Sequence, residues 1–151
     1  MKNNKGFTLI EMLVVTIIVG ILASIAIPQY QRMTAKSHFT KVEVMAKALR
    51  DSCNRLVAEF GVEGFDSLPD DAQVLQRLDI GESALLPKGF TLDTTNQLIT
   101  GSGFNLQLTK DCSVNIDKVT GDYAGVQISY NGRRFTCTPN NTEGCEAYGL
   151  D

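Results

Sequence analysis

Hydrophobic and polar positions divide the chain into three stretches. From Phe7 to Ile27 nearly every residue is apolar, interrupted by Thr8, Thr16 and Ser24, by Gly20, and by one acid, Glu11. About 20 such residues suffice for a helix that spans a bilayer. A single carboxylate inside such a segment is costly and marks a functional position. The second stretch is amphipathic. Phe39, Val42, Met45, Ala46, Leu49, Cys53, Leu56, Val57 and Phe60 recur at spacings of three and four, one apolar face of a helix. Arg32, Lys36, Lys41, Glu43, Lys47, Arg50 and Asp51 lie mostly off that face, and Gly61 is a plausible stop. One helix from Phe7 to Phe60 would measure roughly 80 Å.

In the third stretch, from about residue 90, the period changes to two. Phe104, Leu106 and Leu108 alternate with polar residues. So do Cys112, Val114 and Ile116, then Val126, Ile128 and Tyr130, and Phe135 and Cys137 continue the theme. These positions predict half-buried antiparallel strands. Gly101, Gly103, Gly121 and Asn131-Gly132 mark the turns between them. Residues 61–90, acidic and rich in Gly and Pro, read as a connection with a short helix inside. The expected architecture is α+β: a long N-terminal helix whose amphipathic half covers a roughly four-stranded antiparallel sheet.

Chemistry changes this picture little. The chain has 151 residues, 14 basic and 17 acidic. One histidine, His38, excludes a Ser-His-Asp arrangement with any redundancy, and it has no Cys or acid at ligand spacing. No phosphate-cradling glycine loop is present. Asp70-Asp71, before an apolar run, reads as a helix start rather than a cation site. No cofactor, metal or enzymatic activity is expected. Lys2 and Lys5 ahead of the apolar run favour retention of that end in the cytoplasm.

Gly6-Phe7-Thr8-Leu9-Ile10-Glu11, followed by an apolar helix and Pro28-Gln29-Tyr30, resembles the N-terminus of a type IV prepilin. The resemblance covers about residues 1–35. It implies a leader peptide (1–6), a hydrophobic membrane and filament-core helix (7–35) and a globular head (36–151). It also implies that a prepilin peptidase cuts between Gly6 and Phe7 and N-methylates Phe7. Without Lys2 and Lys5 the balance is 12 basic against 17 acidic residues, so the formal charge moves from −3 to −5. An acidic chain is no natural nucleic-acid binder by bulk charge.

For Glu11 the resemblance implies pairing with the Phe7 amine of a neighbouring subunit, since a buried carboxylate needs a partner. For Gly20 and Pro28 it implies a segment that loosens when the helix leaves lipid; Pro28 cannot donate to the Ser24 carbonyl, so a kink is expected there. The implied life of the protein starts in the bacterial inner membrane with the head in the periplasm. It continues as a homo-oligomeric extracellular pilus built by an assembly machinery and serving adhesion, twitching motility or DNA uptake.

Four cysteines in a small exported domain read as two disulfides. Of the three pairings, Cys53–Cys112, tying helix to sheet, and Cys137–Cys145, closing a C-terminal loop, are favoured; the latter resembles the C-terminal loop of type IV pilins. Cys53–Cys137 stays open, because both residues face the core. Two other functions stand beside the structural one. A type II secretion pseudopilin shares the leader but generally lacks the late cysteine pair. A minor subunit that captures DNA would use Lys110, Lys118, Arg133 and Arg134, with Arg133-Arg134 the accessible pair just after the Asn131-Gly132 turn.

Overall fold

A computed structural model describes residues 6–66, 75, 77–78, 86–93, 95–96, 98–138 and 142–150. The leader before Gly6, Asp70-Asp71 and most of the connection expected over 61–90 lie outside the described residues. The element order is α1 (Leu9–Asp66), β1 (Phe90–Asp93), β2 (Leu98–Gly101), β3 (Phe104–Leu108), β4 (Val114–Lys118), β5 (Gln127–Tyr130), β6 (Phe135–Cys137) and α2 (Thr142–Tyr148).

Helix α1 is one helical element of 58 residues, and it carries Pro28 inside it. Its backbone leaves helical dihedrals at Gly61, where φ is +72°. That is the position where the amphipathic pattern predicts a stop, and glycine adopts such a φ without a Cβ penalty. Phe39, Val42, Met45, Ala46, Leu49, Cys53 and Leu56 are all buried, so the stripe read from the sequence is the face that meets the sheet. Phe60 departs from it: it is 43% exposed, and the Arg77 guanidinium lies 5.7 Å from its ring centroid. Glu43 and Lys47 form an i,i+4 ion pair at 2.7 Å on the wet face. Such a pair adds only a few tenths of a kcal/mol, roughly 0.3–0.5.

The sheet is antiparallel throughout and its strand order is the chain order, β1 to β6. It has six strands where the alternation pattern predicts about four. The additional pair is β1 and β2, each four residues long. Gly101, expected to be a turn residue, is the last residue of β2 and pairs with Phe90. The Phe90 ring and the Gly89 carbonyl occupy the space a Cβ would need, so the aromatic ring replaces the missing side chain. The turn itself is Ser102-Gly103, both at positive φ (54° and 78°), a two-residue hairpin connection.

Phe104, Leu106 and Leu108 of β3, Val114 and Ile116 of β4, and Ile128 and Tyr130 of β5 point inward onto α1. The Phe39 ring anchors the junction, within 6.1 Å of Phe104, 5.8 Å of Phe135 and 5.1 Å of Tyr148, centroid to centroid.

Two local expectations are corrected. Cys112 is not in strand phase with Val114 and Ile116. It sits in the β3–β4 turn at φ +58°, held by its own N–H donating to the Thr109 carbonyl at 2.9 Å. The C-terminal loop expected between Cys137 and Cys145 is cut short by α2, in which Gly144, Cys145, Ala147 and Tyr148 are buried. This short helix packs on α1. It ends as glycine-terminated helices do: Gly149 (φ +74°) donates to the Glu146 carbonyl and Leu150 to the Cys145 carbonyl, both at 2.9 Å.

Candidate functional site

Among the described residues, none buries the apolar first half of α1. All fourteen large apolar side chains from Phe7 to Ile27 are exposed, Phe7 at 78%. Leaving such side chains in water costs about 1.5–3 kcal/mol each, on the order of 20 kcal/mol or more together. That exceeds the whole stability of a typical domain. The segment therefore needs lipid or other apolar helices around it, and α1 is long and apolar enough to cross a membrane. Thr16 and Ser24 do not spoil this surface. Their hydroxyls turn back onto their own helix, donating to the carbonyls of Leu13 at 2.9 Å and Ile21 at 2.7 Å.

Glu11 opens the helix. Its Oε2 accepts from the Thr8 N–H at 2.8 Å and from the Thr8 hydroxyl at 2.7 Å, while the Thr8 hydroxyl oxygen accepts from the Glu11 N–H at 3.3 Å. Thr8 is the N-cap and Glu11 the third helical residue, a reciprocal capping box. The sequence Thr8-Leu9-Ile10-Glu11 carries that signal, yet a reading centred on charge in the membrane overlooks it. Phe7, Ile10, Val14 and Val15 share an open apolar patch with Glu11. Gly20 lies in the open stalk, with nothing within 4 Å of where a side chain would start. Gly6 and Phe7 precede the first helical turn and are both exposed.

Disulfides join Cys53 to Cys112 and Cys137 to Cys145, with Cα–Cα distances of 5.7 Å and 6.0 Å. The first fastens α1 to the β3–β4 turn. The second fastens β6 to α2.

The four cations named as DNA contacts do not form one surface. Lys110 and the Arg133-Arg134 pair lie in the β3–β4 and β5–β6 turns, at the same end of the sheet. Lys118 ends β4 opposite Phe104, at the other end, with its ammonium 4.3 Å from the Phe104 ring centroid. Arg133 and Arg134 are exposed, and their backbone N–H groups donate to Asn131 Oδ1 at 3.1 Å and 3.3 Å. His38 is exposed on α1. Among the described residues no group of three or more His, Cys, Asp or Glu could hold a metal ion.

Residues 1–27 match the prokaryotic N-terminal methylation motif. Along most of its length the chain is similar to two fimbrial proteins of Pseudomonas aeruginosa. One is 37% and the other 43% identical over 131 residues, 85% of this chain and 75% of each relative. A type IV major fimbrial protein FimA of Dichelobacter nodosus is 45% identical over 62 residues, 41% of this chain and 39% of the relative. No solved structure matches the chain. These relatives are structural fimbrial proteins, not enzymes, and they favour neither a secretion pseudopilin nor a DNA-capturing minor subunit. With its methylation motif, its bare apolar helix and its helix-on-sheet head, the chain belongs to the type IV pilins, the structural subunits of type IV pili.

Proposed function

We propose that the chain works as three parts: a leader, residues 1–6; a stalk, 7–35, held first by the inner membrane and then by other stalks; and a head, 36–151, that waits in the periplasm. A membrane peptidase cuts between Gly6 and Phe7 and the new Phe7 amine is methylated. Assembly machinery then draws the subunit from lipid into the pilus, and Gly20 to Pro28 gives way as the stalk changes surroundings. One observation carries this reading. A disulfide-bonded head is attached to a helix with fourteen large apolar side chains that none of the described residues buries. Association of stalks in lipid gains little from hydrophobicity, because lipid is equally apolar; packing and polar pairing decide it.

Glu11 supplies the polar pairing. Its Oε2 is engaged by Thr8 of its own chain, and the same carboxylate can accept a charge-assisted bond from the Phe7 amine of a neighbour. The capping box and the intermolecular pair are separable. Glu11→Gln keeps an oxygen for Thr8 and loses the charge; Glu11→Ala loses both. The test is electron microscopy of surface filaments from both variants, with mass spectrometry of the mature N-terminus. Both variants are expected to be cut before Phe7 and to display few or no filaments. Wild-type filament numbers with Glu11→Gln would assign Glu11 to helix capping alone.

A further inference from the structure

A cavity of about 330 Å³ lies where the upper end of the stalk meets the near end of the sheet. Thr34 and His38 of α1, the Ser102-Gly103 turn, Lys118 and Tyr148 face it. One of its donors is unmatched and a second is weakly engaged. Tyr148 is 3% exposed, and its hydroxyl is buried without a hydrogen-bond partner. Its ring is fixed by Phe39 at 5.1 Å, Phe104 at 5.7 Å and Tyr123 at 6.1 Å. Burial pushes the Tyr148 phenol up to about 12, so it remains a donor at any physiological pH. Lys118 Nζ makes one long hydrogen bond, to the Ser102 carbonyl at 3.4 Å, and among the described residues it has no carboxylate within ion-pair distance. Burial lowers its basicity, which a bound anion would restore. Gly103 leaves room for the ammonium: a Cβ there would sit 2.9 Å from Lys118 Nζ and 2.8 Å from Thr120 Oγ1.

The remaining wall is hydroxylic and amidic, from Thr34, Ser102, Thr120 and Gln31, with Asp122 as the one carboxylate. Asp122 opposes a dianion such as phosphate and accepts from hydroxyl groups instead. The volume is at the small end for ligand sites, suited to a monosaccharide. We propose that this cavity binds a sugar acid, its carboxylate taken by Lys118 Nζ and the Tyr148 hydroxyl and its ring hydroxyls by Asp122, Thr34 and Ser102. The site is at the opposite end of the head from the Asn131–Arg134 turn.

The test is calorimetric titration of the full chain, in a detergent without a sugar headgroup, using D-glucuronate, methyl β-D-glucuronide, D-glucose and acetate. Saturable one-to-one binding of glucuronate is expected, at least about tenfold tighter than glucose because the charged contact is lost. If the methyl glycoside binds as well as the free acid, the site reads the end of a glycan; if only the free acid binds, it reads a free metabolite. Lys118→Gln is expected to weaken glucuronate by about tenfold or more. Tyr148→Phe is expected to weaken it several-fold while raising the melting temperature of the empty protein, since it deletes an unmatched buried hydroxyl. No saturable binding of either glucuronate probe, or glucuronate binding unchanged in both variants, would overturn the proposal.

Discussion

Arg50 and Cys112 are 62 residues apart in the chain, and the Arg50 guanidinium donates to the Cys112 carbonyl through Nη1 at 2.7 Å. Cys53, one turn further along α1, holds the same residue through its disulfide. The helix thus grips a single left-handed turn residue twice, once covalently and once by a charge-assisted bond. Arg50→Ala is expected to cost about 1.5–3 kcal/mol, the usual worth of a partly buried bond to a charged group. Denaturant unfolding of the full chain in micelles checks it, with the midpoint falling and the slope unchanged.

The same guanidinium lies against Gly132, where φ is +90° and an added Cβ would collide with Arg50 Nε. Gly132→Ala is expected to lose roughly 1–3 kcal/mol from left-handed strain plus the collision. In Arg50→Ala/Gly132→Ala the collision disappears, so the double variant should lose less than the sum of the two single losses. Strict additivity would mean that the turn and the helix are not coupled through Arg50.

The two disulfides close loops of very different length, with sequence separations of 59 and 8. Chain entropy alone assigns about 4 kcal/mol to the long loop and about 2.5 kcal/mol to the short one. Replacing Cys53 and Cys112 by Ala should therefore lower stability more than replacing Cys137 and Cys145. Thermal unfolding of the two double variants decides the order.

Stability should change at both ends of the pH scale. The hydroxyls of Thr109 and Ser113 donate to the Asp111 carboxylate and hold it below the ordinary carboxylate value. The Asn96 side-chain amide does the same for Asp93, with help from backbone N–H groups. Both shifts favour the ionised, folded form, so their contribution is present above about pH 4 and is lost as pH falls below it. The groups are largely exposed, and the effect should be small. Asp93→Asn/Asp111→Asn should flatten the acid side of a plot of melting temperature against pH. Tyr148, pushed up to about 12, acts at the other end. An unfolded tyrosine ionises near 10, so the folded state loses ground as pH rises from about 10 to about 12. The stability difference between wild type and Tyr148→Phe should change over that range and stay flat below it.

What could be read from the residues alone followed from how local each signal is. The stripe from Phe39 to Leu56 and the alternation from Phe104 to Tyr130 are set by the period of one element, and each element buries the face its pattern marks. Strands β1 and β2 are too short for alternation to register: in each only one side chain, Phe90 or Ile99, is fully buried, and Gly101 poses as a turn. Helix α2 was hidden by Gly144, a poor helix former that is buried in it. Its stability comes from the Cys145 disulfide and from tertiary packing of Ala147 and Tyr148, and that packing lies outside any local window. The cavity beside Thr34 and Tyr148 was equally invisible, since more than a hundred residues of chain separate its walls. Glu11 stands out in the sequence as the one acid of an apolar run, but its capping geometry required the hydroxyl of Thr8 to be placed.

Because neighbours in the sheet are neighbours in the chain, the head can be laid down in the order in which its residues are synthesised. Helix α1 comes first and offers a finished apolar template. Each hairpin then adds beside the last by a short-range closure, with little loop entropy to overcome. The pairing of Cys53 with Cys112 seals the midpoint of this sequence, and α2 then docks on the starting helix. A pilin of this design is a vectorial fold, zipped outward from its long helix one hairpin at a time.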